Sequence, residues 1–419
     1  MNTSRMFTPL SCIALAVSAC VGPARQETSP AGPHLEALGG RFELRVSLYP
    51  WVPEPDSLMR WIERDFEELH PEIDLVVRSP DHSHDWVRTQ YRGDLAYEID
   101  RTVAALTTHS ADFQHLVEID AMILGALVQR GAIVPFQVAN RQFLPFAAEA
   151  VTWGGTRYGV PHWTCGYFVI SENAEVRNAR TVDELVRVLA AQNTSRPDLL
   201  GDLDGSWDAV MVYLDAYRDT YPDSSLMEAL EREVDTAVVA SLRTVGSGCS
   251  SAAGSLCGTD SVPLFARGQV DALVGYSERL NRIFSDPQRT VGKLHLASAP
   301  LGRGDRPMLF TDALVMSPQC ASQACRRATQ LFAEYYTSDR VFEVLMMSRD
   351  VGGPAPPRYL LPSTSTAFQT PTVAADSLYQ QLWAEIVDAR PFPNYGVPEA
   401  RAQGTIRGVV RQALGVPSN

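Results

Sequence analysis

Cys165 stands apart from the other cysteines of this chain, inside the aromatic-rich run YGVPHWTCGYFVI at 158–170. A free thiol is mostly protonated at neutral pH, so one that does chemistry needs a base close by. A thiol that does none is ordinary buried packing. Acids stand at the ends of apolar runs: Asp120 after LVEI, Glu278 after ALVGYS and Asp312 within LFTDALVM. A carboxyl partly removed from water gains proton affinity and can accept a thiol proton. Each acid also has a plainer role, Asp120 as a helix N-cap and Glu278 as a solvated strand end. Tyr49, Trp51 and Tyr276 stand at comparable strand ends, where Trp51 can simply pack a hinge and Tyr276 a core.

The other cysteines fall into two groups. Cys249 and Cys257 lie in the loop GCSSAAGSLCG, and Cys320 and Cys325 open an apolar helical pattern. Two local disulfides are the plain reading; the spacings do not repeat the short cysteine pair of a zinc site twice, and no metal is expected. Cys12 and Cys20 belong to an N-terminal processing segment, with Arg5, an apolar stretch from Met6 to Val17, then Ser18 and Ala19. That stretch is too short and interrupted to span a bilayer. The VSAC ending resembles a bacterial lipobox, which would make Cys20 a lipidated N-terminus and residues 20–40 a tether. Val21 and Gly22 lack the Asp that retains lipoproteins at the inner membrane, so the outer membrane or cell surface is favoured. An exported chain meets an oxidising compartment, which suits disulfides and makes an unpaired Cys165 conspicuous.

Elements that could position these residues can be read in order. FELRVSLY at 42–49 alternates like a strand and YPWVPEP is a turn. Leu58, Ile62, Phe66 and Leu69 recur at helical spacing, and EIDLVV at 72–77 is a second strand. This β–loop–α–β opening predicts an α/β lobe. Further strands are expected at 116–120, 158–170, after the glycine of LFARGQVDALVGYSE, and at 307–317. Helices are expected near 94–107 and at 121–130, 181–192, 206–219, 224–243, 321–348 and beyond 374.

Composition narrows the partners. The chain has 36 basic and 49 acidic residues, for a net charge of −13, which argues against nucleic acid and against a polybasic membrane contact. Lys293 is the only lysine, so lysine nucleophiles and phosphate-loop lysines are not expected. The charge leaves cationic small molecules open.

Six ordered segments, LRVSLYPWVPEP, VEIDAMIL, YGVPHWTC, VGYSE, LFTDALVMS and RYLLP, resemble the thiaminase I family. Family counterparts are the YP-x-VP-x-P turn, the acid before an apolar helix, YG-[IL]-P-x-x-x-C, IGYSE, LFYSD and YLLP. The resemblance implies an α/β, two-lobed fold of the periplasmic-binding-protein type II, each lobe a mixed sheet flanked by helices. Lobe 1 is then 41–160 plus 304–352, and lobe 2 is 161–303 plus 353–419. It implies Cys165 as nucleophile on the thiamine pyrimidine and Glu278 as general base. Trp51, Asp120, His162, Tyr276, Phe310 and Asp312 would line the substrate site. The partners implied are thiamine or a similar heteroaromatic cation and a nucleophilic amine or thiol, with no cofactor and a monomeric enzyme. This chain departs from the family in several places. His162 stands where a glutamine is usual, as a hinge hydrogen-bonder or an imidazole for the thiol, and Phe310 replaces a tyrosine. No tyrosine stands near Thr259 and Asp260, and the segment around 79–110 is inserted. A non-catalytic binding lipoprotein for the same cation, or a thiol transferase for another ring, are the rival readings.

Overall fold

A computed structural model of the chain describes residues 40–417 apart from 79–95, 109, 111, 140, 193, 206, 253, 259–261 and 305. The expected leader, lipidated Cys20 and tether lie outside the described residues, as do Thr259, Asp260 and much of the insertion.

Two sheets organise residues 40–417. The larger has seven strands, ordered Leu361–Pro362, Val160–Cys165, Met308–Met316, Leu116–Asp120, Phe42–Ser47 and Ile73–Arg78, with Arg390–Pro391 also paired to Met308–Met316. Phe42–Ser47 runs parallel to both of its neighbours, while Met308–Met316 is antiparallel to Leu116–Asp120 and Val160–Cys165. The smaller sheet is ordered His295–Ser298, Phe168–Ser171, Ala272–Gly275 and Leu199–Gly201. Every residue of Leu116–Asp120 and Met308–Met316 is buried, because both strands are covered on both faces.

Side chains of these strands enter two hydrophobic cores, and Met308–Met316 changes the phase of its alternation between Phe310 and Ala313, where its pairing is irregular. Val46, Leu116, Leu309, Leu314, Ile170 and Leu273 enter one; Val117, Ile119, Phe310, Val315, Val169 and Val274 enter the other. Each core contains residues of both sheets.

The chain leaves the first sheet later than expected. Val160–Cys165 pairs with Met308–Met316, so the crossing falls at Gly166, just before Phe168–Ser171, and not at 160/161. Space is tight there: a Cβ on Gly166 would lie 2.2 Å from Leu309 Cδ2, which would have to shift, and 3.3 Å from the Met308 carbonyl oxygen. The C-terminal segment serves both lobes. Leu361–Pro362 extends the first sheet, helix Ser377–Ile386 packs along His295–Ser298, and helix Val397–Ala413 packs on Asp208–Thr220 and Thr236–Gly248.

Local capping explains where the expected helices divide. The 224–243 pattern splits into Leu226–Glu231 and Thr236–Gly248, because Asp235 accepts from the N–H groups of Ala237 and Val238 at 2.8 and 3.0 Å. The 321–348 pattern splits into Gln323–Tyr336 and Asp339–Met346, with Ser338 as the new cap. The YPWVPEP turn is held from behind by Arg358. Its side chain is fully buried, ion-paired to Asp350, and donates to the carbonyl oxygens of Pro53 at 2.6 Å and Leu345 at 2.9 Å. Disulfides join Cys249 to Cys257 and Cys320 to Cys325. Among the described residues no helix is long and apolar enough to cross a membrane.

Candidate active site

Cys165 ends its strand half-buried, with its sulfur outside any disulfide. Its register partner on the neighbouring strand is Phe310. Two residues on, the pairing is interrupted at Asp312, which faces both His162 and Trp163 in a β-bulge. Bulges re-aim side chains where they occur. Asp312 is also directly opposite Asp120 on the other neighbouring strand, and both acids are buried. Directly opposed residues project to the same face, so two carboxyls stand side by side near the thiol. Asp120 Oδ1 accepts the N–H of Met122 at 2.9 Å, so it is a helix N-cap as well.

The second sheet supplies the facing wall. Ala272–Gly275 runs out through Tyr276 and Ser277 to the partly buried Glu278, which opens helix Arg279–Ser285. Burial raises the Glu278 carboxyl from 4.5 to about 6; Arg279 pulls it down and Asp208 pushes it up. Burial likewise raises the Cys165 thiol well above its ordinary 9.0, and the charges of Asp312, Glu278, Asp120 and Asp208 add to that rise. Acids from both sheets therefore act on one sulfur. Burial and the surrounding acids therefore favour the neutral thiol.

Aromatic rings close the space. Tyr276 stacks on Tyr167 with centroids 5.0 Å apart, and Phe310 meets both edge-on at 6.4 and 6.1 Å. Tyr49 and Tyr97 share a hydroxyl contact of 2.7 Å, and Tyr97 lies parallel to Trp207 at 6.4 Å. Both hydroxyls are raised by burial and by Asp120, Asp312 and Cys165. Trp51 is partly buried in the turn after the first strand.

His162 is taken away from this group. It is fully buried in the first lobe, its Nδ1 lies 2.7 Å from Glu118 Oε1, and its ring stacks on Tyr336 at 3.5 Å and on Phe342 at 5.1 Å. The bulge turns His162 inward beside Trp163, 4.3 Å away. Burial lowers its proton affinity, and it is not among the principal groups acting on the thiol. Glu118 also accepts from Tyr49 N–H at 2.8 Å and Tyr336 hydroxyl at 3.1 Å, so His162 helps hold the turn instead of the substrate.

Tyr97, Tyr167, Trp207 and Asp208 join the site without having been singled out in the sequence. Asp208 looks like an acid at a helix start, Tyr97 falls in the inserted segment, and Tyr167 reads as strand core. Nothing in local pattern marks them.

No family model matches the chain. Thiaminase-1 of Paenibacillus thiaminolyticus is 22% identical over 366 residues, covering 81% of each chain. Clostridium botulinum thiaminase I in complex with thiamin superposes with a TM-score of 0.68 at 18% identity, over 88% of this chain and 99% of that one. The chain has the thiaminase I fold. The acarbose-binding GacH receptor of Streptomyces glaucescens shares that two-lobed architecture, with a TM-score of 0.63 at 16% identity over 89% of this chain and 94% of that one. Within the thiaminase I fold, Cys165 and Asp312 come from the first sheet and Glu278 follows a strand of the second. The site thus draws on both lobes, as ligand sites at strand ends of α/β folds commonly do.

Proposed function

We propose that this chain is an exported thiaminase I-like transferase that exchanges the thiazole of thiamine for an amine or thiol. The observation that carries the reading is the free Cys165 thiol of the first sheet, acted on by Glu278 of the second among stacked tyrosines. A binding protein has no need of an unpaired thiol facing a carboxylate.

In this reading Glu278 accepts the thiol proton as Cys165 sulfur adds to C6 of the pyrimidine. The electron pair moves through the ring and breaks the bond between the bridging methylene and the thiazole nitrogen, so neutral thiazole departs. The incoming amine or thiol adds to the methylene and gives up its proton, and the C6–sulfur bond breaks to return Cys165. Proton transfer is concerted with addition, because a free thiolate is disfavoured among these acids. The bound cation offsets that penalty by placing positive charge beside Asp120, Asp312 and Asp208. Tyr276 and Phe310 give the rings a flat wall, and Trp51 adds apolar surface near the turn. Activity rises as pH passes about 6, where Glu278 ionises.

Export and attachment through a lipidated Cys20 complete the proposal. Two disulfides in the folded chain suit an oxidising compartment. The deciding assay incubates the protein with thiamine and aniline or pyridine and follows released thiazole. Cys165→Ser is expected to lose at least about a thousandfold in kcat. Full activity in that variant would remove the nucleophile assignment, and tight thiamine binding with no turnover by the wild type would leave a solute-binding protein.

A further inference from the structure

Asp208 is the first residue of helix Asp208–Thr220, where an acid ordinarily serves only the helix dipole. Here its Oδ1 has a second task. It accepts the hydroxyl of Tyr276 at 2.5 Å and that of Tyr167 at 3.2 Å, and the two hydroxyls are 3.1 Å from each other. The same two rings are stacked within 25° of parallel, and both meet Phe310 nearly at right angles. Phe310 is the register partner of Cys165, so the stacked pair ends against the strand that bears the thiol.

Two tyrosines converging on one carboxylate oxygen lose the freedom to swing about their side-chain bonds. We propose that Asp208 is a positioning residue that locks Tyr276 on Tyr167 as a flat wall beside Cys165 and backs that wall with negative charge, favouring flat cationic rings over neutral ones. This rests on the reading of Cys165 as the reactive group. The charged and titratable groups around Asp208 are Arg279, Glu278, Tyr167, Tyr276 and Cys165, with Asp202 acting on Tyr167. Arg279 favours ionisation of Asp208, and so do both tyrosine hydroxyls, whereas burial opposes it.

The test uses Asp208→Asn, Tyr276→Phe and their combination in the full chain, with melting temperatures recorded to confirm folding. Asp208→Asn keeps the shape and removes the charge. KM for thiamine is expected to rise roughly tenfold in each single variant, the worth of a charge-assisted hydrogen bond, with kcat changing less. The double variant should be little worse than either single one, since both act through the same bond. Independently, the pH profile of Cys165 alkylation by iodoacetamide should move to lower pH in Asp208→Asn, because a negative charge that opposes the thiolate is gone. An unchanged KM, additive effects or an unmoved alkylation profile overturns the proposal. If the wild type does not turn thiamine over, the substrate reading fails while the alkylation profile still decides the role of Asp208.

Discussion

Carboxylates buried behind the first turn and carboxylates gathered at the crevice have the same chemistry and opposite surroundings. Behind the turn, Asp350 meets the fully buried guanidinium of Arg358, and Glu118 is satisfied by His162, the Tyr336 hydroxyl and the Tyr49 N–H. At the crevice, Asp120, Asp312, Asp208 and Glu278 surround a thiol, and Arg279 is the cation that acts on Asp208 and Glu278. The first set is ion-paired at Asp350 and hydrogen-bonded at Glu118, and it fixes the backbone that carries Tyr49 and Trp51. The second gathers four acids around one thiol, a setting that suits the cation proposed as substrate.

The contrast can be broken most forcefully at Arg358. Arg358→Ala strands Asp350 in the interior and is expected to cost about 3–5 kcal/mol in urea unfolding. Replacing both partners with apolar residues, Arg358→Met with Asp350→Leu, should recover most of that loss, since a buried pair exchanged for packing is often nearly neutral. A single variant as stable as the wild type would show that the turn does not depend on the pair.

His162→Leu tests whether the first set is structural. It leaves Glu118 one partner short and is expected to cost about 1–3 kcal/mol. KM for thiamine and the alkylation profile of Cys165 should stay as in the wild type. Burial holds His162 below its ordinary 6.5, so its contribution is present above that pH and is lost as the pH falls. The destabilisation in His162→Leu should therefore shrink in acid, and a shifted alkylation profile would return His162 to the active site.

Glu278→Gln should do the reverse. The Glu278 carboxyl is raised to about 6 in the fold, so its contribution to stability is full below its ordinary 4.5 and is lost as pH rises through about 6. The amide escapes that loss and should stabilise the protein by about 1–2 kcal/mol at pH 7.5, with no gain at pH 4, read from melting curves. The same variant should lose roughly a hundredfold in kcat. Stability gained where activity is lost would mark Glu278 as a member of the functional set; equal stability at both pH values would not.

The sequence carried much of this arrangement, and the reasons differ by residue. Strand Leu116–Asp120 was legible because an apolar run ends abruptly in an acid, and 307–317 was legible because a doubly covered strand is continuously apolar. Cys165 and Glu278 could be singled out by chemistry and by position at or just beyond a strand end, whereas Asp312 lies in the middle of Met308–Met316. His162 misled because a β-bulge shifts side-chain alternation, and a bulge has no sequence mark here. Asp208 and Trp207 were hidden for another reason. Asp208 meets Tyr276 and Trp207 meets Tyr97, both from far along the chain, and periodicity does not encode such contacts.

Gly166 has a consequence for timing. Cys165, its neighbour, is anchored in the same sheet as Asp120 and Asp312, so those three keep their spacing whatever the lobes do. Glu278 and Asp208 travel with the other sheet. Sulfur and proposed base thus sit on different sheets, whereas the sulfur, Asp120 and Asp312 share one. If Cys165 and Glu278 act as nucleophile and base, as proposed, the moment at which sulfur and base meet is set by how the two sheets approach, and not by the sheet that carries the thiol.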